Sequence, residues 1–427
     1  MKISKTSILI KFLKFRFYRK FKSNSISLIK KRKWKKTVLS SPYYKNIILK
    51  NKEFPIMNKA LFMENFNLIN TVQIKKSEAL KLAFKSEKSR DFTPSINGIS
   101  IGLSSGTSGS RGIFLTNKKE KEIWVAAILD RVIGFSLKKR KVAFFLRANN
   151  NLYEAVKSKL LSFTFFDIKT PVEQHIITLI ELNPTILIAQ PSMLMKIAQN
   201  YIYLKIQPTI QKIISVAEVL EDDQKEYLTS VFNRPIDQVY QCTEGFLAYT
   251  CKKGKLHLNE DWLEIEKRYL DEKQDRFHPI ITDYLRESQP IVRYELNDIL
   301  HEGFSCSCGS KSTVISKIEG RSDDVFRFYE NETVVDIYPD FIRRVIITAS
   351  EKVKNYTVVL IEARKINVYL EVADKNKLEN IFKTVKKELN TLFLSFGIED
   401  INIVSVDLNH DQTNKFRRIK NEYKKSF

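Results

Sequence analysis

Gly98-Ile-Ser-Ile-Gly102-Leu-Ser104-Ser105-Gly106-Thr107-Ser108-Gly109-Ser110-Arg111-Gly112 contains five of the twelve glycines in this chain of 427 residues. Glycine takes positive φ at little cost and lets a ligand approach the backbone closely. Between the glycines stand the hydroxyls of Ser104, Ser105, Thr107, Ser108 and Ser110 and the guanidinium of Arg111. Backbone N–H groups, hydroxyls and one fixed positive charge together make a cradle for a polyphosphate. The stretch is not a Walker loop, because no Gly-Lys-Ser/Thr follows it. A flexible Gly/Ser linker has a similar composition. Apolar runs flank this one closely, from Ile99 to Leu103 and from Ile113 to Leu115, so strand–loop–strand is the expectation.

Outward from the loop, helical and strand patterns alternate. Residues 118–135 read as a helix, and residues 141–146 as a continuous apolar strand of the kind buried on both faces of a sheet. Helices are expected near 152–161, 172–182, 192–201 and 222–232, with strands near 163–168, 185–189, 212–216 and 235–240. Such alternation predicts a layered α/β domain with ligand loops where strands end. Before the loop, residues 54–87 read as helical. After Gly320 the pattern changes to a helix at 341–347, paired strands at 356–363 and 365–372, a helix at 375–394 and a strand at 401–408. That reads as a small α+β domain. The expected organisation is a basic helical segment over 1–53, a large α/β domain over 54–319 and a small domain over 320–427. No internal repeat is visible.

Composition fits an ordinary globular protein of two or three domains, with 43% hydrophobic and 28% charged residues. Four cysteines and the absence of a small-residue cleavage site predict a reducing, cytoplasmic setting. No stretch approaches the eighteen uncharged apolar residues of a membrane-spanning helix. The net charge of +23 is unevenly spread, for no Asp or Glu precedes Glu53. Over residues 2–36, lysines and arginines interleave with Ile8, Leu9, Ile10, Phe12, Leu13, Phe15, Phe17, Tyr18 and Phe21. The plain expectation is a helix packed on the large domain with solvated lysines. Its rivals are peripheral contact with an anionic membrane and, less favoured, with nucleic acid.

Ser105-Gly106-Thr107-Ser108-Gly109 resembles the Ser-Gly-Thr-Thr-Gly phosphate loop of the adenylate-forming superfamily of acyl-CoA synthetases, luciferases and adenylation domains. Similar motifs follow in the family's order over nearly the whole chain. Ser215-Val-Ala217-Glu218 resembles the adenine-pocket segment, and Tyr240-Gln-Cys-Thr243-Glu244-Gly245 the Tyr-Gly-x-Thr-Glu motif. Arg293-Tyr294-Glu-Leu-Asn297-Asp298 resembles Arg-Tyr-x-x-Gly-Asp, Gly320-Arg321-Ser-Asp323-Asp324 resembles Gly-Arg-x-Asp-Asp, and Lys415 stands in a late Asn-Lys-Phe-Arg-Arg. The Cys-x-Cys-Gly run and the entry Trp34-Lys-Lys…Ser41-Pro-Tyr-Tyr resemble the phenylacetate–CoA ligase-like branch. The chain departs from the pattern at Arg111-Gly112, where many members have Pro-Lys. Gln241 and Asn297 also replace glycines, and Gln241 puts a larger side chain beside the acyl pocket that the resemblance implies.

The resemblance implies a large α/β domain with a small mobile α+β domain, and a reaction that joins a carboxylate to the α-phosphate of ATP. Pyrophosphate leaves, and the acyl group passes to a thiol, with CoA the favoured acceptor. Two anions meet in the first step, so the site must supply cations and oriented N–H groups rather than a protein nucleophile. On this reading Glu244 holds Mg2+, whose preference is for carboxylate oxygen, and Thr243 reaches the α-phosphate. Tyr240 faces adenine, the backbone around Ala217 and Glu218 reads its edge, and Asp298 and Arg321 hold the ribose. Lys415 bridges the substrate carboxylate and α-phosphate, and Asp323 is the hinge. Rival readings are transfer to a carrier protein or another acceptor, and a non-catalytic partner in a biosynthetic cluster.

Cys251, His257, Cys306 and Cys308 form a second constellation. Cys-x5-His and a later Cys-x-Cys-Gly supply four ligands suited to tetrahedral zinc. Four protein ligands leave no open position, so a zinc there would be structural. Reduced cysteines in turns are the alternative. Cys242, inside the nucleotide motif, is not counted among the four.

Overall fold

The computed structural model describes residues 3–21, 26, 28–104, 112–146, 157–168, 170–206, 209–270, 272, 274–321, 324–330, 333–350, 352–372, 374–407 and 417–423. The chain forms two compact units, Met1–Leu296 with Leu300–Lys317, and Asn297–Ile299 with Ile318–Phe427.

The large unit is organised by a mixed sheet of twelve strands. Its parallel part runs in the order Leu161–Asp167, Arg140–Leu146, Ile186–Ala189, Lys212–Val216, Ile236–Gln241. Phe246–Thr250 then turns back antiparallel and pairs with Leu256–Leu258, which pairs in turn with Val314–Arg321. Helices Val172–Leu182, Pro191–Tyr203 and Asp222–Phe232 cross between the parallel strands. Their apolar faces bury Leu179, Leu194, Ile197, Leu228 and Phe232 against Phe145, Leu187 and Ile213. Alternating strands and helices therefore close into the expected layers.

A separate three-stranded sheet carries the glycine-rich stretch. Ser95–Ile96 and Ile99–Leu103 pair with Ile96 opposite Ile99, leaving Asn97-Gly98 as a two-residue turn. Both turn residues have positive φ, 51° for Asn97 and 75° for Gly98. That is the Asn-Gly hairpin geometry, so Gly98 serves the hairpin. Ile99–Leu103 then pairs antiparallel with Ile113–Thr116, Leu103 opposite Ile113, so the expected strand–loop–strand is present.

Three expected helices differ. The helix over 118–135 is α-helical only at Lys118–Ile128 and continues as a π turn, Leu129–Ile133, ending at Gly134 with φ 78°. The wider turn places Arg131 over the rings of Trp262 and Tyr249, at 4.1 and 4.8 Å from their centroids. Its guanidinium also bonds the Asn259 side chain and pairs with Asp261 at 2.7 Å. The helix over 54–87 is broken into Lys59–Glu64, Phe66–Ile69 and Lys76–Ser89. Asn58 caps the first of these, and the buried Asn70 side chain bonds Phe66 O, Ile74 N and Ile74 O. Of the helix expected at 152–161, residues 152–156 lie outside the described residues. Residues 157–160 are not helical, because Ser158 Oγ accepts from Leu160 and Leu161 N–H and Leu161 already opens a strand.

The basic segment forms helices Lys5–Phe21, Leu28–Leu39 and Pro42–Leu49. The first buries Ile8, Phe12 and Phe15, with Phe15 edge-on to Trp262 at 5.2 Å. Ser4 N, Ser7 Oγ and Lys11 Nζ all donate to the Glu122 carboxylate. Burial of Glu122 works against its charge, but those three donors outweigh it and hold the acid down at about 2.

The smaller unit has a four-stranded sheet in the order Asn402–Ser405, Lys365–Val372, Val353–Glu362, Ile419–Asn421. Helices Pro339–Ala349 and Leu378–Ser395 supply Ile342, Ile346, Val385 and Phe393 to a core with Val358, Val368 and the hairpin residues Phe326 and Phe328.

Candidate functional site

Of the proposed phosphate loop, Ser105, Gly106, Thr107, Ser108, Gly109, Ser110 and Arg111 lie outside the described residues, and its base is described. Ser104 N–H donates to Gly112 O at 2.9 Å, and Gly112 N–H donates to Ser104 Oγ at 2.7 Å. Two reciprocal bonds thus close the loop where the strands end. A Cβ on Gly112 would meet the Phe114 ring at 3.1 Å, a tight contact that a residue without a side chain avoids. Buried Gln289 fixes the second strand, accepting from Leu115 N–H and donating to Ile113 O, both at 3.1 Å.

Two further motifs emerge from the carboxyl ends of neighbouring parallel strands, where open α/β sheets bind ligands. Lys212–Val216 and Ile236–Gln241 are paired, Val216 opposite Val239, so Ala217 and Tyr240 follow side by side. Ala217 has φ 68°, in the left-handed region. That conformation costs a residue with a Cβ roughly 1–2 kcal/mol. Glu218 sends its carboxylate to Ser192 N–H at 3.2 Å, in the first turn of helix Pro191–Tyr203. An anion there suits the helix dipole, so the side chain of Glu218 has a positioning task and its backbone remains at the strand end.

Tyr240 is buried, and the chain turns sharply after Gln241, with Cys242 N–H donating to Gly245 O at 3.0 Å. That turn presents Glu244. Its carboxylate is buried and accepts from Thr243 Oγ1 at 2.9 Å and from the phenol of Tyr294. Burial first, and the Glu244 charge second, push the Tyr294 hydroxyl far above its ordinary range, so it stays a donor. Behind the turn, a Cβ on Gly245 would sit 3.6 Å from Asp283 Oδ2. Asp283 is fully buried, and desolvation pushes its carboxyl up to about 6. Tyr294 stands in the Arg293-Tyr294 motif without an implied role, and Asp283 lies in none of the motifs. Tyr294 carries no local signal, because it acts on a residue fifty positions earlier, and Asp283 stands out only through its burial behind the Gly245 turn.

In the smaller unit, Asp298 opens the strand Asp298–Glu302 and Arg321 ends the strand Val314–Arg321. Their side chains pair, Arg321 Nε to Asp298 Oδ1 at 3.8 Å. The two residues assigned to the ribose are thus neighbours. Asp324 is held by Arg417 at 2.5 Å. Asp323 and Lys415 lie outside the described residues.

The cysteine–histidine set converges. The four ligand atoms of Cys251, His257, Cys306 and Cys308 lie within 4.8 Å of one another. Cys251 Sγ and Cys306 Sγ are 3.7 Å apart, and Cys308 Sγ is 3.4 Å from His257 Nε2. Zn–S and Zn–N bonds of about 2.3 and 2.0 Å require separations of roughly 3.5–3.8 Å at tetrahedral angles, so the donors fit zinc. His257 Nδ1 faces Ser312 O at 3.2 Å, which turns Nε2 toward the cysteines. A backbone carbonyl on the far nitrogen is a common way to orient a zinc-binding histidine. Lys253 N–H and Ser310 N–H donate to the Cys251 and Cys308 sulfurs. Contact with His257, then with neighbouring donors, lowers the Cys306 thiol to about 7. Burial raises Cys308 to about 11.

No family model matches this chain, and no curated protein matches it in sequence. Solved structures do. 2-Hydroxyisobutyryl-CoA ligase, in its postadenylation state with R3-HIB-AMP, aligns over 96% of this chain and 88% of its own, at 16% identity and TM-score 0.61. The chain has the fold of this ligase. The same enzyme in an open conformation with 2-HIB-AMP and CoA aligns over 92% and 86%, at 14% identity and TM-score 0.51. The amide bond synthetase McbA from Marinactinospora thermotolerans aligns over 74% and 67%, at 11% identity and TM-score 0.50. At these identities the likeness is one of architecture, a mixed α/β unit followed by a smaller one, as the adenylate-forming resemblance implies.

Proposed function

We propose that this protein is an AMP-forming acid–thiol ligase that activates a carboxylic acid as its acyl-adenylate and passes the acyl group to CoA. The observation that carries this reading is the buried Glu244 carboxylate, held by Thr243 and Tyr294 on a strand-end turn beside Ala217 and Tyr240. A buried carboxylate with two hydroxyl partners keeps oxygen lone pairs for a hard cation. Glu244 would hold Mg2+, which supplies positive charge between phosphates when bound. Fold likeness to ligases crystallised with acyl-AMP and CoA supports the same reading.

The residues divide the work by charge. The Ser104–Gly112 loop offers N–H groups and hydroxyls to the outer phosphates of ATP, and Thr243 offers its hydroxyl to the α-phosphate. Tyr240 lays a ring face against adenine while the backbone at Ala217 and Glu218 reads the base edge. Asp298 accepts from the ribose hydroxyls, with Arg321 beside it. Lys415 neutralises the substrate carboxylate and α-phosphate as they approach, which no neutral side chain could do. Asp323 is the hinge residue in this reading, which puts the chain in the phenylacetate–CoA ligase-like branch. The cysteine–histidine set would hold a structural zinc ion, since four protein donors complete a tetrahedron.

Pyrophosphate release, scored over a panel of carboxylic acids with and without CoA, tests the proposal. Acid-dependent release with thioester formation is the expected result. Release without transfer to CoA, followed by transfer to a carrier-protein thiol, would keep the adenylation and replace the acceptor. Absence of release with every acid would leave the fold without this activity.

A further inference from the structure

The helix Lys5–Phe21 carries two apolar faces. Ile8, Phe12 and Phe15 are buried on the large unit, and Ser4, Ser7 and Lys11 fasten the helix to Glu122. Leu9, Ile10, Leu13 and Phe17 are 50–55% exposed. At about 100° per residue these four span an arc of roughly 100°, turned away from the buried arc. Arg16 borders that arc on one side and Lys14 on the other, and both are exposed. Arg16 also lies over the exposed ring of Phe135, 5.4 Å from its centroid, and exposed Leu137, Lys138 and Lys139 follow in the same loop. No acidic residue precedes Glu53. Among the described residues no helix is long and apolar enough to cross a membrane.

We propose that this face is an in-plane anchor for bilayers containing anionic lipids. Leu9, Ile10, Leu13 and Phe17 enter the boundary between headgroups and acyl chains, and Lys14, Arg16 and Lys138 meet lipid phosphates. Charge decides among occupants. A second copy would bring the same cations together, which opposes pairing. A nucleic acid would satisfy the cations and leave Leu9 and Leu13 in water. Only an apolar surface with an anionic rim uses both features. Because Glu122 holds the helix down, it docks lying flat with the large unit attached.

Vesicle co-sedimentation of the full chain tests this, with pure phosphatidylcholine vesicles against vesicles of phosphatidylcholine and phosphatidylglycerol at moderate salt. The expected result is binding to the anionic vesicles alone. Leu9→Ser/Leu13→Ser and Lys14→Glu/Arg16→Glu should each lower the partition coefficient about tenfold or more, with unchanged thermal unfolding. The second variant keeps the test decisive if the first folds poorly. Equal sedimentation with both vesicle types, or variants that bind as the parent does, would overturn the anchor. So would a dimer in sedimentation velocity that Leu9→Ser/Leu13→Ser dissociates, since the stripe would then belong to a second copy.

Discussion

The phenol of Tyr294 donates a hydrogen bond to the carboxylate of Glu244, joining two motifs fifty positions apart. Glu244 thereby receives one hydroxyl from its neighbour Thr243 and one from a distant strand, and neither neutralises it.

Removing the distant hydroxyl should disturb the metal before the fold. A hydrogen bond to a charged group is worth about 1.5–3 kcal/mol. Tyr294→Phe is therefore expected to raise the Mg2+ concentration for half-maximal adenylation about tenfold, with ATP affinity in the absence of Mg2+ little changed. Glu244→Gln, which keeps the shape and removes the charge, should lower the rate on the order of a hundredfold. Unaltered Mg2+ dependence in both variants would remove Glu244 from the metal site.

Asp298 and Lys415 should fail in different ways. Asp298→Ala removes the proposed acceptor for ribose and is expected to weaken ATP binding by about tenfold or more, read by calorimetry. Lys415→Ala should leave ATP binding nearly intact and slow adenylation about a hundredfold, as loss of a transition-state cation does. Lys415→Ala with a normal rate on a confirmed acid would end that assignment.

Purified protein is expected to contain about one equivalent of zinc, measured by elemental analysis. Cys306→Ser and Cys308→Ser should each lower the zinc content and the melting temperature, because metal binding energy is folding energy. Chelation should lower activity only along with stability. Full stability of a zinc-free preparation would make the four side chains a reduced cluster.

Asp283 makes stability depend on acid pH. Its carboxyl rises from an ordinary 3.8 to about 6 in the fold, so between those values the folded chain holds a proton that the unfolded chain has released. Stability from this group therefore falls as pH climbs from about 4 to 6 and is level above. At about 1.4 kcal/mol per pH unit, the cost at neutral pH is about 3 kcal/mol. Asp283→Asn retains the acceptor for Leu285 N–H, 2.7 Å away in the parent. It is expected to unfold at higher urea above pH 6.5 and to lose this part of the slope. Parallel pH profiles for parent and variant would show that the carboxyl is not titrating in the fold.

What was legible in the sequence follows the range of the forces involved. Parallel strands such as Arg140–Leu146 show as apolar runs because both faces are buried, and crossover helices such as Val172–Leu182 show through their periodicity. The cysteine–histidine set was readable because thiols and imidazole are rare and chemically distinct in this chain. Less visible were features created by a single polar contact. Asn70 breaks the helical run over 54–87 by bonding three backbone groups, and the π turn at Leu129–Ile133 goes with the seat of Arg131 over two distant rings. Asn97-Gly98 was a local signal for a hairpin, overshadowed by the glycines that follow it. The Tyr294–Glu244 bond had no local signal at all.

Trp262 gives the molecule an optical readout. Its indole is touched on one side by Phe15 of the first helix and on another by the Arg131 guanidinium, five positions after the zinc-ligand candidate His257. Fluorescence from this ring therefore senses two events at once: departure of the first helix, which would wet the indole and redden its emission, and loosening of the hairpin around His257, which would change the distance between the indole and the Arg131 guanidinium. A single buried chromophore links the amino terminus to the cysteine–histidine centre, so light absorbed there reports on regions separated by some two hundred and forty residues of chain.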